Sequence, residues 1–186
     1  MSKPIIGLLS GSSRTASMNR KLVTAMAHVF TAAGANVQII DLSDYEMPIY
    51  NGDFEDANGQ PETAHALIKT LMGCDGVFIA TPEYNGSLPA LLKNTIDWTT
   101  RIGLEHFSTP VYAIGSATPG ALSGIMALRQ LHFILNRLGA QVVPTQLGIG
   151  QYGQAFDENG DFKNAATMSQ AEKLAQQVLS AIRHKK

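Results

Sequence analysis

The chain has 186 residues, of which 45% are apolar and 16% are charged, and its formal net charge is −1. This length suits one domain with a substantial core, and the apolar content excludes a disordered chain. The near-zero charge, without a basic block before residues 183–186, argues against nucleic-acid binding, and no stretch is apolar enough to span a bilayer. The single Cys74 excludes an internal disulfide and a cysteine-based metal site, which suits a reducing cytoplasm.

Short apolar segments alternate with helical patterns along the chain. The predicted strands are residues 5–9, 37–40, 76–80, 111–114 and a fifth that begins at 141–143. Apolar residues at helical spacing predict helices over about 22–33, 67–72, 90–100, 122–138 and 168–182. Residues 43–62 are rich in Asp, Asn, Gly and Pro and predict a long surface loop.

This alternation favours an α/β protein whose parallel sheet is covered by helices on both faces. The handedness of the crossovers leaves few topologies, and the doubly wound three-layer sandwich is the simplest of them. Because no internal repeat or linker interrupts the pattern, we expect a single domain over residues 1–186.

The segment SGSSRTASMN, residues 10–19, lies between the first predicted strand and the first predicted helix. In such a sheet, ligands bind beyond the carboxyl ends of the strands, and the unpaired amides at a helix N-terminus favour an anion. The segment carries several hydroxyls and one fixed positive charge, on Arg14, and this composition suits a phosphate monoester. The alternative is a helix cap in a polar loop, although one or two hydroxyls would suffice for that.

A phosphate held by this loop alone would bind weakly. Four hydrogen bonds to a charged group contribute roughly 6–12 kcal/mol, whereas association costs about 4–15 kcal/mol. The rest of the ligand must therefore be held by another segment.

The segment TPEYNGSLPALLKNTIDW, residues 81–98, follows the third predicted strand and should open at the same edge of the sheet. Pro82 and Tyr84 supply apolar surface for a flat ring, and the pair Asn85-Gly86 favours a tight turn with outward N–H groups. A flavin needs both features, because negative charge gathers at N1, O2 and O4 when it is reduced. From composition alone, a plain turn before a helix is an equal alternative.

The two motifs GSSRTASMN and PEYNGSLPALLKNTIDW resemble those of the NADPH-dependent FMN reductase family, which includes quinone, azo-dye and chromate reductases. The resemblance extends over nearly the whole chain, to the segment AFDENGDF. It implies a flavodoxin-like three-layer α/β/α sandwich with a five-stranded parallel sheet in the order 2-1-3-4-5. It also implies FMN as cofactor and NADPH or NADH as electron donor.

The same resemblance assigns roles to individual residues. The FMN phosphate is expected at Ser12, Arg14, Ser17, Met18 and Asn19. The isoalloxazine ring is expected at Pro82, Glu83, Tyr84, Asn85, Gly86 and Ser87. A third loop, after strand four, contributes Ser116, although the glycine-rich form found in relatives is replaced here by GSATPGALSG.

The implied activity is ping-pong reduction of quinones or similar acceptors, such as free flavin, azo dyes or chromate, with hydride passing through flavin N5. No side chain need act as acid or base, and no metal is expected. Relatives are usually homodimers or homotetramers with the flavin near a subunit interface, and no membrane or nucleic-acid partner is expected.

The alternatives are a non-enzymatic FMN electron carrier and a flavin-dependent sensor or scaffold. Carriers are typically strongly acidic and lack the arginine, so Arg14 favours an enzyme.

Several other signals receive structural interpretations. The GxGxxG pattern at residues 148–153 opens no predicted helix, so we consider it a coincidence, and residues 157–161 are predicted to form a surface turn rather than a calcium loop. Arg101 is expected in a surface salt bridge. Core positions are predicted for Cys74, Trp98, Met26, Met72 and Met126.

Overall fold

One parallel sheet organises the computed structural model, which describes residues 2–185. Its strand order is β2-β1-β3-β4-β5, and a further strand, β6, also pairs with β4. The strands are β1 Ile5–Ser10, β2 Asn36–Ile40, β3 Gly76–Ala80, β4 Val111–Ala117, β5 Gln141–Val142 and β6 Leu147–Ile149. The predicted parallel sheet and its strand order are confirmed.

Helices cover both faces of the sheet. They are α1 Met18–Ala32, α2 Gly52–Asn58, α3 Glu62–Met72, α4 Ala90–Thr100, α5 Glu105–Ser108, α6 Ile125–Arg137 and α7 Ala165–Lys185. Two short 3-10 helices occupy Leu42–Tyr45 and Tyr152–Gln154. No helix within residues 2–185 is long and apolar enough to cross a membrane.

Alternation along the strands divides the core into two halves. Ile6, Leu8 and Phe78 point to one face, where they pack against α1 and α7. Leu9 and Ile79 point to the opposite face, where they pack against α3, α4 and α6. Because the central strands are buried on both faces, their sequences are continuously apolar, which confirms the three-layer sandwich predicted from them.

The fifth strand position is occupied by two separate strands. β5 pairs with the start of β4 and β6 pairs with its end. Val143 N still bonds to Tyr112 O of β4, and residues 144–146 then leave the ladder. Pro144 has no N–H group to donate, and the N–H of Thr145 bonds to the side chain of Gln177 on α7 instead. The strand predicted to begin at 141–143 therefore corresponds only to the first of the two strands, β5.

Residues 43–62 are more ordered than the predicted surface loop. Asn51 caps α2 by accepting hydrogen bonds from the N–H groups of Asp53 and Phe54, and Gly59 ends the helix at φ 75°. The prediction of an uninterrupted loop was wrong because α2 buries no side chain, so its sequence carries no apolar periodicity.

The segment before α2 is fastened to α4 by polar contacts. The indole N–H of the buried Trp98 donates to Pro48 O at 2.7 Å, and Asn94 Oδ1 accepts from Tyr50 N at 2.8 Å. Arg101 forms the predicted salt bridge, with Glu55, at 2.8 Å. Trp98 and Cys74 are buried as predicted.

His106 is an isolated polar side chain in the core. It is 1% exposed, its ring packs on Phe107 at 4.1 Å between centroids, and neither ring nitrogen bonds to any residue in the described range. Burial lowers the pKa of His106 to about 4, because the charged imidazolium is poorly solvated there.

We expect His106 to make the fold acid-sensitive. In the unfolded chain His106 would take up a proton near pH 6.5, whereas in the native state it takes up the proton only near pH 4. Stability is therefore complete above pH 6.5 and falls as the pH drops towards 4. The free energy of unfolding should fall by about 2–3 kcal/mol less between pH 7 and pH 4 in His106→Leu than in the parent, as measured by urea unfolding at the two pH values.

The exposed His65 on α3 provides the control. His65→Leu should lose as much stability between the two pH values as the parent does. If His106→Leu shows the parent's pH dependence as well, the buried imidazole is not the source of the acid sensitivity.

Candidate functional site

A cleft of about 240 Å³ opens at the carboxyl edge of the sheet. The chain segments that follow β1, β3, β4 and β6 all contribute to it. It brings together the predicted residues Ser12, Arg14, Ser17, Met18, Asn19, Pro82, Glu83 and Tyr84. The two motifs, about 60 residues apart in sequence, therefore face one cavity, as expected from the parallel order of the strands.

The first loop combines helix capping with free hydroxyl donors. Ser17 Oγ accepts a hydrogen bond from Asn19 N at 3.2 Å and caps α1, and Ser12 Oγ accepts one from Arg14 N at 3.4 Å. In both contacts the hydroxyl is the acceptor, so its own hydrogen remains to be donated to a ligand. Capping and anion binding are thus compatible here, and the first turn of α1 adds N–H groups that the helix cannot pair.

The two arginines near this loop differ in their contacts. Arg20 forms an ion pair with Asp41 and donates to Ser13 O at 3.4 Å. Arg14 is exposed and makes no ion pair with another residue of the described chain. Arg14 therefore supplies the guanidinium that an anion in the cleft would meet, and the donor set suits a phosphate.

Asn19 connects the first loop to the end of β4. Its Nδ2 donates to Ala117 O at 3.0 Å, and its Oδ1 accepts from Ala117 N at 2.9 Å. The side chain is buried, and both ends of its amide are engaged by the backbone. The structure therefore gives Asn19 a bracing role between α1 and β4.

Ser116 does not reach the cleft. It lies within β4, is fully buried, and faces Gly124, where a Cβ atom would collide with its hydroxyl. Strand four extends to Ala117 instead of the predicted end at residue 114, so the loop begins three residues later than expected. Thr118 and Pro119 line the cleft instead.

The second loop forms a tight turn. Tyr84 N donates to Ser87 O and Ser87 N donates to Tyr84 O, both at 3.0 Å. Asn85 and Gly86 occupy the two central positions at φ 52° and 74°, which is the conformation that an Asn-Gly pair favours. Neither of their N–H groups bonds to another residue within 2–185.

Space beside this turn suits a flat ring. A Cβ atom on Gly86 would meet nothing within 4 Å, and Tyr84, which lines the cleft, is 47% exposed. An aromatic edge can thus approach the backbone N–H groups of Asn85 and Gly86 without a clash. Donors beside open, partly apolar surface fit the reducible end of a flavin.

The side chain of Glu83 turns towards α6. Its Oε2 accepts hydrogen bonds from Met126 N at 3.0 Å and Ala127 N at 3.1 Å, in the first turn of that helix. The residue at the helix cap, Gly124, has no side chain to serve this purpose. The Glu83 carboxylate is thus a capping group placed beside the cleft.

Tyr152 is a cleft residue that the sequence analysis missed. It belongs to the GxGxxG segment that we considered a coincidence, and it lies just beyond β6. Had Leu147–Ile149 been recognised as a strand, the loop after it would have been expected at the same edge of the sheet.

The sheet order, with a donor-rich loop after β1 and a tight turn beside open surface after β3, is that of a flavodoxin-like protein. Residues 4–154 match the model of the NADPH-dependent FMN reductase family, and the chain belongs to that family. It is accordingly an oxidoreductase that uses FMN as cofactor and NAD(P)H as electron donor.

Individual relatives agree with this assignment. Quinone reductase of Escherichia coli (strain K12) is 33% identical over 136 residues, covering 73% of this chain and 71% of the relative. Quinone reductase of Pseudomonas putida KT2440 is 34% identical over 147 residues, covering 77% of each chain. The same fold is found in FerB, a flavoenzyme NAD(P)H:(acceptor) oxidoreductase from Paracoccus denitrificans, with a TM-score of 0.82 and 24% identity over 97% of this chain and 98% of FerB.

Proposed function

We propose that this chain is a single-domain, cytoplasmic enzyme that reduces quinones or similar small acceptors with electrons from NAD(P)H. The observation that carries the proposal is one cleft lined by the donor-rich loop after β1 and by Pro82 and Tyr84 after β3. The open turn at Asn85 and Gly86 lies next to Tyr84, although neither residue is among the lining residues. Quinones are favoured as acceptors because two relatives above 30% identity are quinone reductases. The lone, buried Cys74 suits a reducing compartment.

The residues of the cleft would share the work of holding FMN. The hydroxyls of Ser12 and Ser17, the guanidinium of Arg14 and the first-turn N–H groups of α1 would bind the phosphate. Each hydrogen bond to a charged group contributes about 1.5–3 kcal/mol, so these donors would supply a large part of the affinity. Pro82 and Met18, which both line the cleft, would flank the ring.

The turn after β3 would act at the other end of the cofactor. The N–H groups of Asn85 and Gly86 would donate to the edge where negative charge develops, and Tyr84 would border the ring. FMN itself supplies the redox chemistry, accepting hydride from NAD(P)H and passing the electrons to the acceptor. Within the described lining, the Glu83 carboxylate is already engaged by two backbone amides, so we assign no acid or base to the protein.

The steady-state kinetics should be ping-pong, because one open cleft would serve the donor and the acceptor in turn. With NADPH and benzoquinone, we expect bleaching of the bound flavin by NADPH alone, followed by turnover when the quinone is added. Double-reciprocal plots at several quinone concentrations should give parallel lines. Flavin that is bleached by NADPH but passes no electrons to any quinone would contradict the proposal and indicate a sensor or carrier.

Arg14→Ala should weaken FMN retention about 10- to 100-fold, because a charge-assisted hydrogen bond to the phosphate is lost. Its melting temperature without flavin should equal the parent's, since Arg14 is exposed and unpaired within residues 2–185. Both quantities can be measured on purified protein, by flavin titration and by thermal denaturation. Lys21→Ala removes a nearby exposed charge on α1 and should bind FMN as the parent does. Equal FMN affinity in Arg14→Ala and the parent would refute the role of Arg14.

We further propose that the chain forms a homodimer or homotetramer through the outer face of α6. Leu122, just before the helix, is 72% exposed, and Phe133 is 69% exposed three turns further along. Met126 lies between them and is also exposed, so its predicted core position was wrong, as was that of Met72. An apolar stripe of this kind on a helix suits burial against a second copy of the chain.

Phe133→Glu should shift the protein to monomers, because the interface would have to bury an unpaired carboxylate. Sedimentation velocity measures the change. Ile39→Glu places the same charge at another exposed apolar position, on β2, and should leave the assembly intact. A parent that sediments as a monomer at all concentrations would exclude this proposal.

A further inference from the structure

We propose that Gln130 on α6 is a positioning residue that fixes the turn at residues 84–87, and through it the donor N–H groups of Asn85 and Gly86. This inference rests on the proposed role of that turn in holding the flavin. Gln130 itself is exposed and does not line the cleft, so it would act only through the turn.

The oxygen and the nitrogen of the Gln130 side-chain amide each form a hydrogen bond with the turn. Ser87 Oγ donates to Gln130 Oε1 at 2.8 Å, and Gln130 Nε2 donates to Gly86 O at 3.4 Å. The peptide group between Gly86 and Ser87 is thus held from two sides, because its N–H already bonds to Tyr84 O within the turn.

The same helix also holds the start of the second loop. Glu83 Oε2 accepts from Met126 N and Ala127 N, one turn before Gln130 on α6. Glu83, just before the turn, and Gly86 and Ser87, at its end, are therefore all attached to the same helix, α6. Such double attachment fixes the orientation of the turn relative to α6, whereas a single contact would allow it to pivot.

The turn has few other restraints. Tyr84 and Asn85 are exposed, and the only hydrogen bonds that its described residues make among themselves are the pair between Tyr84 and Ser87. Asn85 also adopts a left-handed conformation, which a residue with a Cβ atom populates less readily than glycine does. Segments with little packing and exposed hydrogen bonds open locally, so an external clamp has a measurable effect.

The expected consequence concerns the reduced cofactor. Donors aimed at the edge where negative charge develops stabilise the charged form more than the neutral one. Loosening the turn should therefore weaken the binding of reduced FMN more than that of oxidised FMN. A role that is merely structural would lower the melting temperature and leave the ratio of the two affinities unchanged.

The first test needs no flavin. In the flavin-free protein, Gln130→Leu should speed amide hydrogen exchange at Tyr84 and Ser87 about fivefold. Ser87→Ala keeps the backbone hydrogen bonds of the turn but loses the hydroxyl contact with Gln130, and it should speed exchange at Tyr84 to a similar degree. Gln176→Leu makes the same chemical change at an exposed position on α7 and should leave both rates unchanged.

The second test measures the dissociation constants of oxidised and reduced FMN. Gln130→Leu should change their ratio about fivefold. The double variant with Ser87→Ala should show little further change, because Gln130→Leu already removes the contact with the Ser87 hydroxyl. Additive effects, or a change confined to the KM for NADPH, would overturn the proposal, the latter by making Gln130 a substrate contact. Unchanged exchange rates would overturn it as well.

The two tests separate this proposal from the one on which it rests. A parent protein that binds no FMN would refute the proposed function, whereas the exchange experiment would still decide whether Gln130 holds the turn.

Discussion

Parallel pairing of β1, β3, β4 and β6 determines where the chain segments that line the cleft lie. Strands that run in the same direction end at the same edge, so the loops that follow them converge although they are distant in sequence. The pairing also buries each central strand on both faces, which requires helices above and below the sheet. The cleft and the two-sided core therefore have a common cause.

Most of the polar side chains at the cleft have a structural partner in the protein. Ser17 caps α1, Asn19 braces α1 against β4, and Glu83 caps α6. What remains for a ligand is a set of hydroxyl hydrogens, backbone N–H groups and the guanidinium of Arg14. All of these groups are donors, which could hold and orient an anion and a ring, as suits a site whose reaction belongs to the cofactor.

The sequence predicted those parts of the fold whose local pattern agrees with their environment. Strands buried on both faces are continuously apolar, and α1 and α7 carry a clear apolar stripe, so these elements were expected near their observed positions. The two loops of the cleft were recognisable because both motifs are rich in residues that bind ligands or form turns. Helix α2 was missed because it is held by caps and polar contacts and buries no side chain.

Other errors arose where tertiary contacts decide the outcome. The second half of the fifth strand position, and with it Tyr152, depends on pairing with β4, which leaves no signal in so short a segment. Ser116 was placed in a loop because strand four is longer than its apolar run. Met126 was assigned to the core because periodicity alone does not show which side of an apolar helix faces solvent.

The break at Pro144 also has a consequence for how the molecule avoids unwanted partners. An uninterrupted border strand offers a row of free peptide groups on which a foreign strand can grow, the first step of amyloid-like stacking. Here that border consists of two strands, of two and three residues, separated by a segment that contains Pro144. A template so short and irregular resists extension, so this flank of the molecule is protected against edge-to-edge aggregation.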